Sequence, residues 1–160
     1  MDEPTDRPAW VAEAVRLILR TTREERQLLL DRVARATDEE LAVGSDERWG
    51  VGQIAVHLLI VERGSLVISL RLAQSAEGGP TGQPRPAASG VSRAGIASLV
   101  EKTDTAAARL AAEFPLEPDT RRSARHPYYG DLNCFGWLLM LPTHYKAHLE
   151  ALDQGRPSAL

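Results

Sequence analysis

At 160 residues, with 43% hydrophobic and 26% charged side chains, the chain has the balance of a globular domain long enough to bury a full core. A net charge of −3 and an aromatic content of 5% argue against a nucleic-acid binder, which would carry a basic excess with exposed aromatics. No apolar run approaches the roughly 18–20 residues that span a bilayer, and the opening MDEPTDRPAW lacks the basic and apolar regions of a signal peptide, so the expectation is one cytoplasmic domain over residues 1–160.

Four helical segments are predicted. The first runs from about Pro8 to Ala36, with Pro8 suited to an opening turn because it lacks the N–H that turn leaves unpaired. Trp10, Val11, Ala14, Leu17, Ile18, Leu28, Leu29 and Val33 recur in it at helical intervals, with Arg and Glu on the other faces. The second runs from about Val51 to Ala76 on an inner stripe of Ile54, His57, Val61, Gly64 and Ile68. The run EGGPTGQPRPAASG follows. It is too rich in Gly and Pro for a helix and is expected to be an exposed crossover.

Ser92 or Ser89 is a candidate cap for the third helix, which extends to about Phe114 and, with its polar, Ala-rich middle, should be the least buried. A second irregular segment, PLEPDTRRSARHPYYG, leads to a last helix expected from an N-cap at Asp131 to Gln154, stopped by Gly155 and Pro157. Its inner stripe is Cys134, Trp137, Leu141, His144, His148 and Ala151, with Pro142 predicted to kink it. No segment shows sustained period-two alternation, so no sheet is expected. The class is all-α.

The histidines carry the chemistry. A four-residue spacing places His144 and His148 on one helical face about 6 Å apart in rise, a geometry that lets two imidazoles reach one ion. A lone histidine on an apolar face is more often a hydrogen-bonded core residue. A buried pair is harder to satisfy that way, because each unsatisfied polar group costs roughly 1–3 kcal/mol. His57, at similar depth on the second helix, could complete a three-histidine site with an open position. The HExxH pattern is absent, since Tyr145 follows His144. So is the Glu-x-x-His of di-iron bundles, since Ile54, Leu141 and Tyr145 lie three before the histidines. Three neutral imidazoles suit one divalent ion, Zn2+ first, with Ni2+ or another first-row ion as alternatives.

Cys134, the single cysteine, lies ten residues before His144 and is expected to be a small core residue. Arg121, Arg122 and Arg125 form a basic cluster in the last loop. They read either as a solvated turn or, for Arg121 and Arg125, as a clamp for a carboxylate-bearing cofactor or substrate. His126, beside Tyr128, is expected to pack in the loop, with approach to the open metal position as the alternative. Glu62 lies five residues past His57 and is expected to salt-bridge on the outer face.

The segment from Trp49 through His57-Leu58 to Glu62 resembles the second-helix motif of the DinB-like (DinB/YfiT) superfamily. The stretch from His126 to Leu132, with Trp137-Leu-Leu and His144-x-x-x-His148, resembles that family's last loop and helix. The resemblance implies an up-down-down-up four-helix bundle with His57, His144 and His148 as ligands of one divalent metal. It also implies activities of three kinds: S-transfer or isomerisation using mycothiol, bacillithiol or glutathione; YfiT-like metal-dependent hydrolysis; or a non-catalytic, stress-related metal-binding role. Two departures stand out: Gly50 replaces the usual Ser or Thr after the Trp, and Gln53 replaces a frequent Glu. The leading expectation is thiol transfer to a small electrophilic substrate, with Arg125, His126 and Tyr128 as candidate catalytic residues on a closing loop. A homodimer is possible, though no exposed face specifies it.

Overall fold

The computed structural model describes residues 9–157. In chain order these form α1 (Ala9–Arg35), α2 (Asp38–Leu41), α3 (Val51–Ala73), a 3-10 turn (Ala88–Gly90), α4 (Arg93–Glu113), β1 (Ala124–His126), β2 (Gly130–Leu132) and α5 (Cys134–Asp153). Pro8 lies outside the described residues.

The packing clusters give the topology. At one end of the molecule Leu29 and Val33, late in α1, pack with Ile54 and Leu58, early in α3, with Ile96, early in α4, and with Leu149, late in α5. Toward the other end Val15 meets Leu66, Leu110 and Leu138. Helices α1 and α5 therefore run together, against a parallel pair α3 and α4, and the bundle is up-down-down-up. The glycine- and proline-rich crossover joins the parallel pair, a connection that needs to return along the length of the bundle.

Local chemistry sets the helix ends. Thr37 caps α2 in a reciprocal capping box with Glu40. The Ser92 hydroxyl accepts the Gly95 N–H at the start of α4, and the Asn133 carboxamide accepts the Gly136 N–H at the start of α5. Asp131, the expected cap, instead belongs to β2. Helix α3 stops at Ala73 rather than Ala76 because Ser75 adopts a left-handed conformation (φ 62°) that ends the helix. Gly155 (φ 59°) does the same after α5.

Three sequence expectations are corrected. A short antiparallel ribbon is present, with Ala124 opposite Leu132 and His126 opposite Gly130. Three-residue strands are too short for alternation to register, and Gly130 (φ 76°) supplies the positive φ their turn needs. Gly64 is exposed, and Ser65 takes its place on the inner face of α3. On α1, Trp10, Leu17 and Leu28 are more than half exposed, whereas Arg26, expected outside, is 4% exposed.

Arg26 is inside because it has partners there. Its guanidinium lies 2.7 Å from Asp104 of α4 and 3.8 Å from Glu62 of α3. Glu62 in turn accepts a 2.6 Å hydrogen bond from the Tyr145 hydroxyl of α5. One residue from each long helix thus meets in a polar network, buried except at the half-exposed Asp104, which disfavours any sliding of one helix past another. Helix α5 runs unbroken through Pro142. As expected, α4 contributes few buried residues: Ile96, Thr103 and Leu110. Contrary to the sequence reading, α3 is long and apolar enough to cross a membrane by composition, but 67% of its apolar window is buried against the rest of the bundle, as in a core helix.

Candidate metal centre

His57 projects from α3, and His144 and His148 project from α5; all three side chains are buried. The Nε2 atoms of His57 and His144 are 3.4 Å apart, and those of His144 and His148 are 3.1 Å apart. The lone histidine is therefore brought to the pair, as the sequence reading required.

The trio fits a cation better than it fits itself. Burial lowers the His57 pKa. His144 is lowered to about 3, first by burial and then by the neighbouring imidazoles. Both rings are neutral at physiological pH. The Nδ1–H of His57 donates to the Pro84 carbonyl at 2.6 Å, which leaves its Nε2 as a bare lone pair facing the other two rings. A tetrahedral ion with bonds of about 2.0–2.1 Å places its nitrogens roughly 3.3 Å apart, and right-angle coordination brings them to about 2.9 Å. The two separations from His144 fall around those values, and all three ligand atoms lie within 4.8 Å of one another. Among the described residues the group contains three side chains and no carboxylate or cysteine.

The surroundings hold these rings in place. Trp49 is buried and packs against two of the three rings, tilted against His57 at 4.8 Å between centroids and stacked on His148 at 6.0 Å. Its motif position marked it in the sequence, but not its function as a wall. The Arg85 guanidinium lies 5.6 Å over the same indole. Gln53, fully buried, explains both departures from the family pattern. Its amide oxygen accepts the Gly50 N–H at 3.1 Å, performing half of a capping box, and its amide nitrogen donates to the carbonyls of Ser45 and Pro86. The crossover is thereby anchored two residues from the carbonyl that orients His57. Gly50 itself is sterically required, because a Cβ there would lie only 1.9 Å from the Val43 carbonyl oxygen. The usual Ser or Thr has no room.

The remaining predicted residues separate clearly from the trio. Cys134 is a buried core residue packed with Ile68, Leu72 and Trp137. His126 packs in the loop: it is 4% exposed, its ring lies 5.1 Å from Trp137, and its Nδ1 accepts the Tyr128 and Tyr129 N–H groups at 3.1 and 3.2 Å. It is not part of the ligand group. Arg121, Arg122 and Arg125 are exposed, with Arg125 directed to Asp131 at 3.4 Å, and Tyr128 is half exposed. The expectation that Glu62 lies on the outer face is wrong. It is 2% exposed and belongs to the Arg26–Tyr145 network.

A family model described as the DinB superfamily matches residues 21–152. The chain belongs to the DinB superfamily. Among solved structures it is similar to TT2238, a four-helix bundle protein, with a TM-score of 0.66 at 20% identity over 88% of this chain and 98% of that one. That likeness concerns the fold. No curated protein matches the chain. In this DinB-superfamily member the sequence motif and the buried three-histidine group coincide on α3 and α5, so the residues that carried the resemblance are also those able to hold an ion.

Proposed function

We propose that the protein is a divalent-metal-dependent enzyme, with His57, His144 and His148 as the ligands and a low-molecular-weight thiol as co-substrate in S-transfer or isomerisation. The observation that carries this reading is the convergence of three buried Nε2 atoms with no fourth side chain in the group among the described residues. A structural zinc site would ordinarily be closed by a fourth ligand, so the three-donor arrangement supports chemistry over fold stabilisation. When bound, the cation supplies Lewis acidity that lowers the pKa of a thiol or of water.

The chain's own residues favour a thiol over water. Hydrolysis is helped by a general base beside the attacking water. Glu62, the nearest candidate by sequence, is instead engaged with Arg26 and Tyr145. His126 is neutral, because burial lowers its pKa, and its Nδ1 lone pair already accepts two backbone N–H groups. A thiol, once ionised, is a nucleophile without such a base. The protein would hold the ion, orient His57 through Pro84 and exclude water with Trp49. Zn2+ is the first ion to test and mycothiol the first thiol, with Ni2+, bacillithiol and glutathione as the other arms.

The test is elemental analysis of untagged protein purified without a nickel column, followed by conjugation assays with the three thiols. One equivalent of metal, together with thiol-dependent turnover that disappears in His144→Ala, supports the proposal. A metal-loaded protein that turns over esters or amides without any thiol would instead favour the hydrolase. Full metal loading with no turnover in either assay would leave a binding role.

A further inference from the structure

The outward face of α3 carries a pattern that packing within the chain does not explain. Ile60, Arg63, Gly64, Val67 and Arg71 are all exposed. At about 100° of rotation per residue they fall within roughly 100° of arc, so they form one stripe along the helix. The glycine- and proline-rich crossover runs beside it: a Cβ at Gly78 would lie 3.0 Å from the Ile68 side chain, and one at Gly79 would lie 2.9 Å from the Arg71 guanidinium. Between helix and crossover are two cavities of about 440 and 340 Å3, which share Ile60, Gly64, Ile68 and Pro80. Each has the volume of a small-molecule site.

Two observations point to a ligand there. The first is Gly64. Glycine in a helix interior is unfavourable, because its backbone gives up the most freedom, and it is usually retained where a side chain would collide. Gly52 on the same helix is such a case, since a Cβ there would lie 2.2 Å from the Leu41 carbonyl oxygen. At Gly64 a Cβ would meet no atom within 4 Å. The fold does not need this glycine, and the space it leaves open is the floor common to both cavities. The second observation is charge. Arg32, Arg93 and Arg109 on other helices each pair with a carboxylate, whereas Arg63 and Arg71 have no ion pair among the described residues. Both line the smaller cavity, and no Asp or Glu among the described residues lines either one. The groove thus has an apolar floor under an unbalanced positive rim.

We propose that this groove on α3 binds a small amphipathic organic anion, whose apolar body lies across the Gly64 backbone and against Val67 and whose carboxylate-type head pairs with Arg63 and Arg71. The site is independent of the metal-dependent reading above, since none of the three histidines lines either cavity. A guanidinium presents a fork that matches a carboxylate, so a charged head gains more here than a neutral one. An apolar body gains by removing Ile60 and Val67, 38% and 44% exposed, from water. The crossover beside the stripe makes the face concave, which suits a small molecule better than a second helix.

The test uses methyl-labelled protein, in which Ile60 and Val67 report on the groove. 4-Phenylbutyrate and 4-phenylbutyramide are probes of nearly equal shape that differ in charge. The acid should shift the methyl signals of Ile60 and Val67 and bind roughly tenfold more tightly than the amide. Arg63→Gln and Arg71→Gln should each reduce that preference while leaving amide binding unchanged. Gly64→Ala should raise the denaturation midpoint, because alanine favours the helix and its Cβ has free space. Gly64→Leu should stay folded yet bind the acid roughly tenfold more weakly, or worse. No shift at Ile60 and Val67, equal affinity for the two probes, or a folded Gly64→Leu that binds like wild type overturns the proposal. The comparison of the two probes on wild type stands even if Gly64→Leu does not fold. Sedimentation of the same proteins tests the other occupant: a wild-type dimer that Gly64→Leu converts to monomer assigns the face to a second copy of the chain and overturns the small-molecule site.

Discussion

Acid should weaken the metal-free fold through its histidines, and the size of the effect follows from their burial. The His144 ring has a pKa of about 3 in the folded protein against 6.5 for an exposed histidine. Between those values the unfolded chain binds a proton that the folded chain does not, so stability rises with pH. The contribution is fully present above about pH 6.5 and is lost as pH falls toward 3. From pH 7 to pH 5 it amounts to about 2 kcal/mol for this single group. His57, also lowered by burial, acts in the same direction. Glu62 acts in the opposite direction, because burial raises its pKa and its folded form takes up a proton more readily. Urea denaturation of chelator-treated protein at half-unit steps across this range gives the slope, and His144→Ala isolates the histidine, with its slope reduced by about 1.4 kcal/mol per pH unit. A stability that does not change between pH 7 and pH 5, or a variant with the wild-type slope, would refute the assignment of a buried neutral His144.

Further outcomes follow from other parts of the structure. His57→Ala, His144→Ala and His148→Ala should each abolish stoichiometric metal in elemental analysis, since all three belong to the one buried group. Glu62→Ala removes one of the two carboxylates beside the buried Arg26 guanidinium and the acceptor of the Tyr145 hydroxyl, with Asp104 still paired to Arg26, and should cost about 1–3 kcal/mol in denaturant unfolding. Gly50→Ala should lower stability by about 1–3 kcal/mol, because its Cβ would meet the Val43 carbonyl at 1.9 Å. Arg125→Ala should shift stability by less than about 0.5 kcal/mol and leave metal content unchanged, as its ion pair with Asp131 is solvent-exposed.

The sequence disclosed what depends on periodicity. His57, His144 and His148 each stood where a helix buries a residue, and two helices facing each other across a bundle are enough to bring such positions together. Features that depend on partners distant in sequence were hidden. The outward placement of Glu62 followed from its rotation relative to His57, yet a carboxylate can lie inside when an arginine from another helix and a tyrosine hydroxyl meet it there. Arg26 was misplaced for the same reason. The Pro84 carbonyl that orients His57 had no sequence signal at all, because a main-chain acceptor in a proline-rich crossover is the same chemical group in any sequence. Trp137 was legible as an inner-stripe residue, but its lack of a hydrogen-bond acceptor is a fact of packing alone.

If the trio holds an ion as proposed, the contact from His57 to Pro84, with Gln53 bracing Pro86, makes the crossover a stakeholder in its capture. Whatever stabilises the imidazole in its seated pose must also quiet residues 84–86, and the linkage is reciprocal. A protease that clips this exposed strap should therefore act more slowly on loaded protein, and a nicked strap should let the ion escape faster, so susceptibility to cleavage becomes a gauge of occupancy.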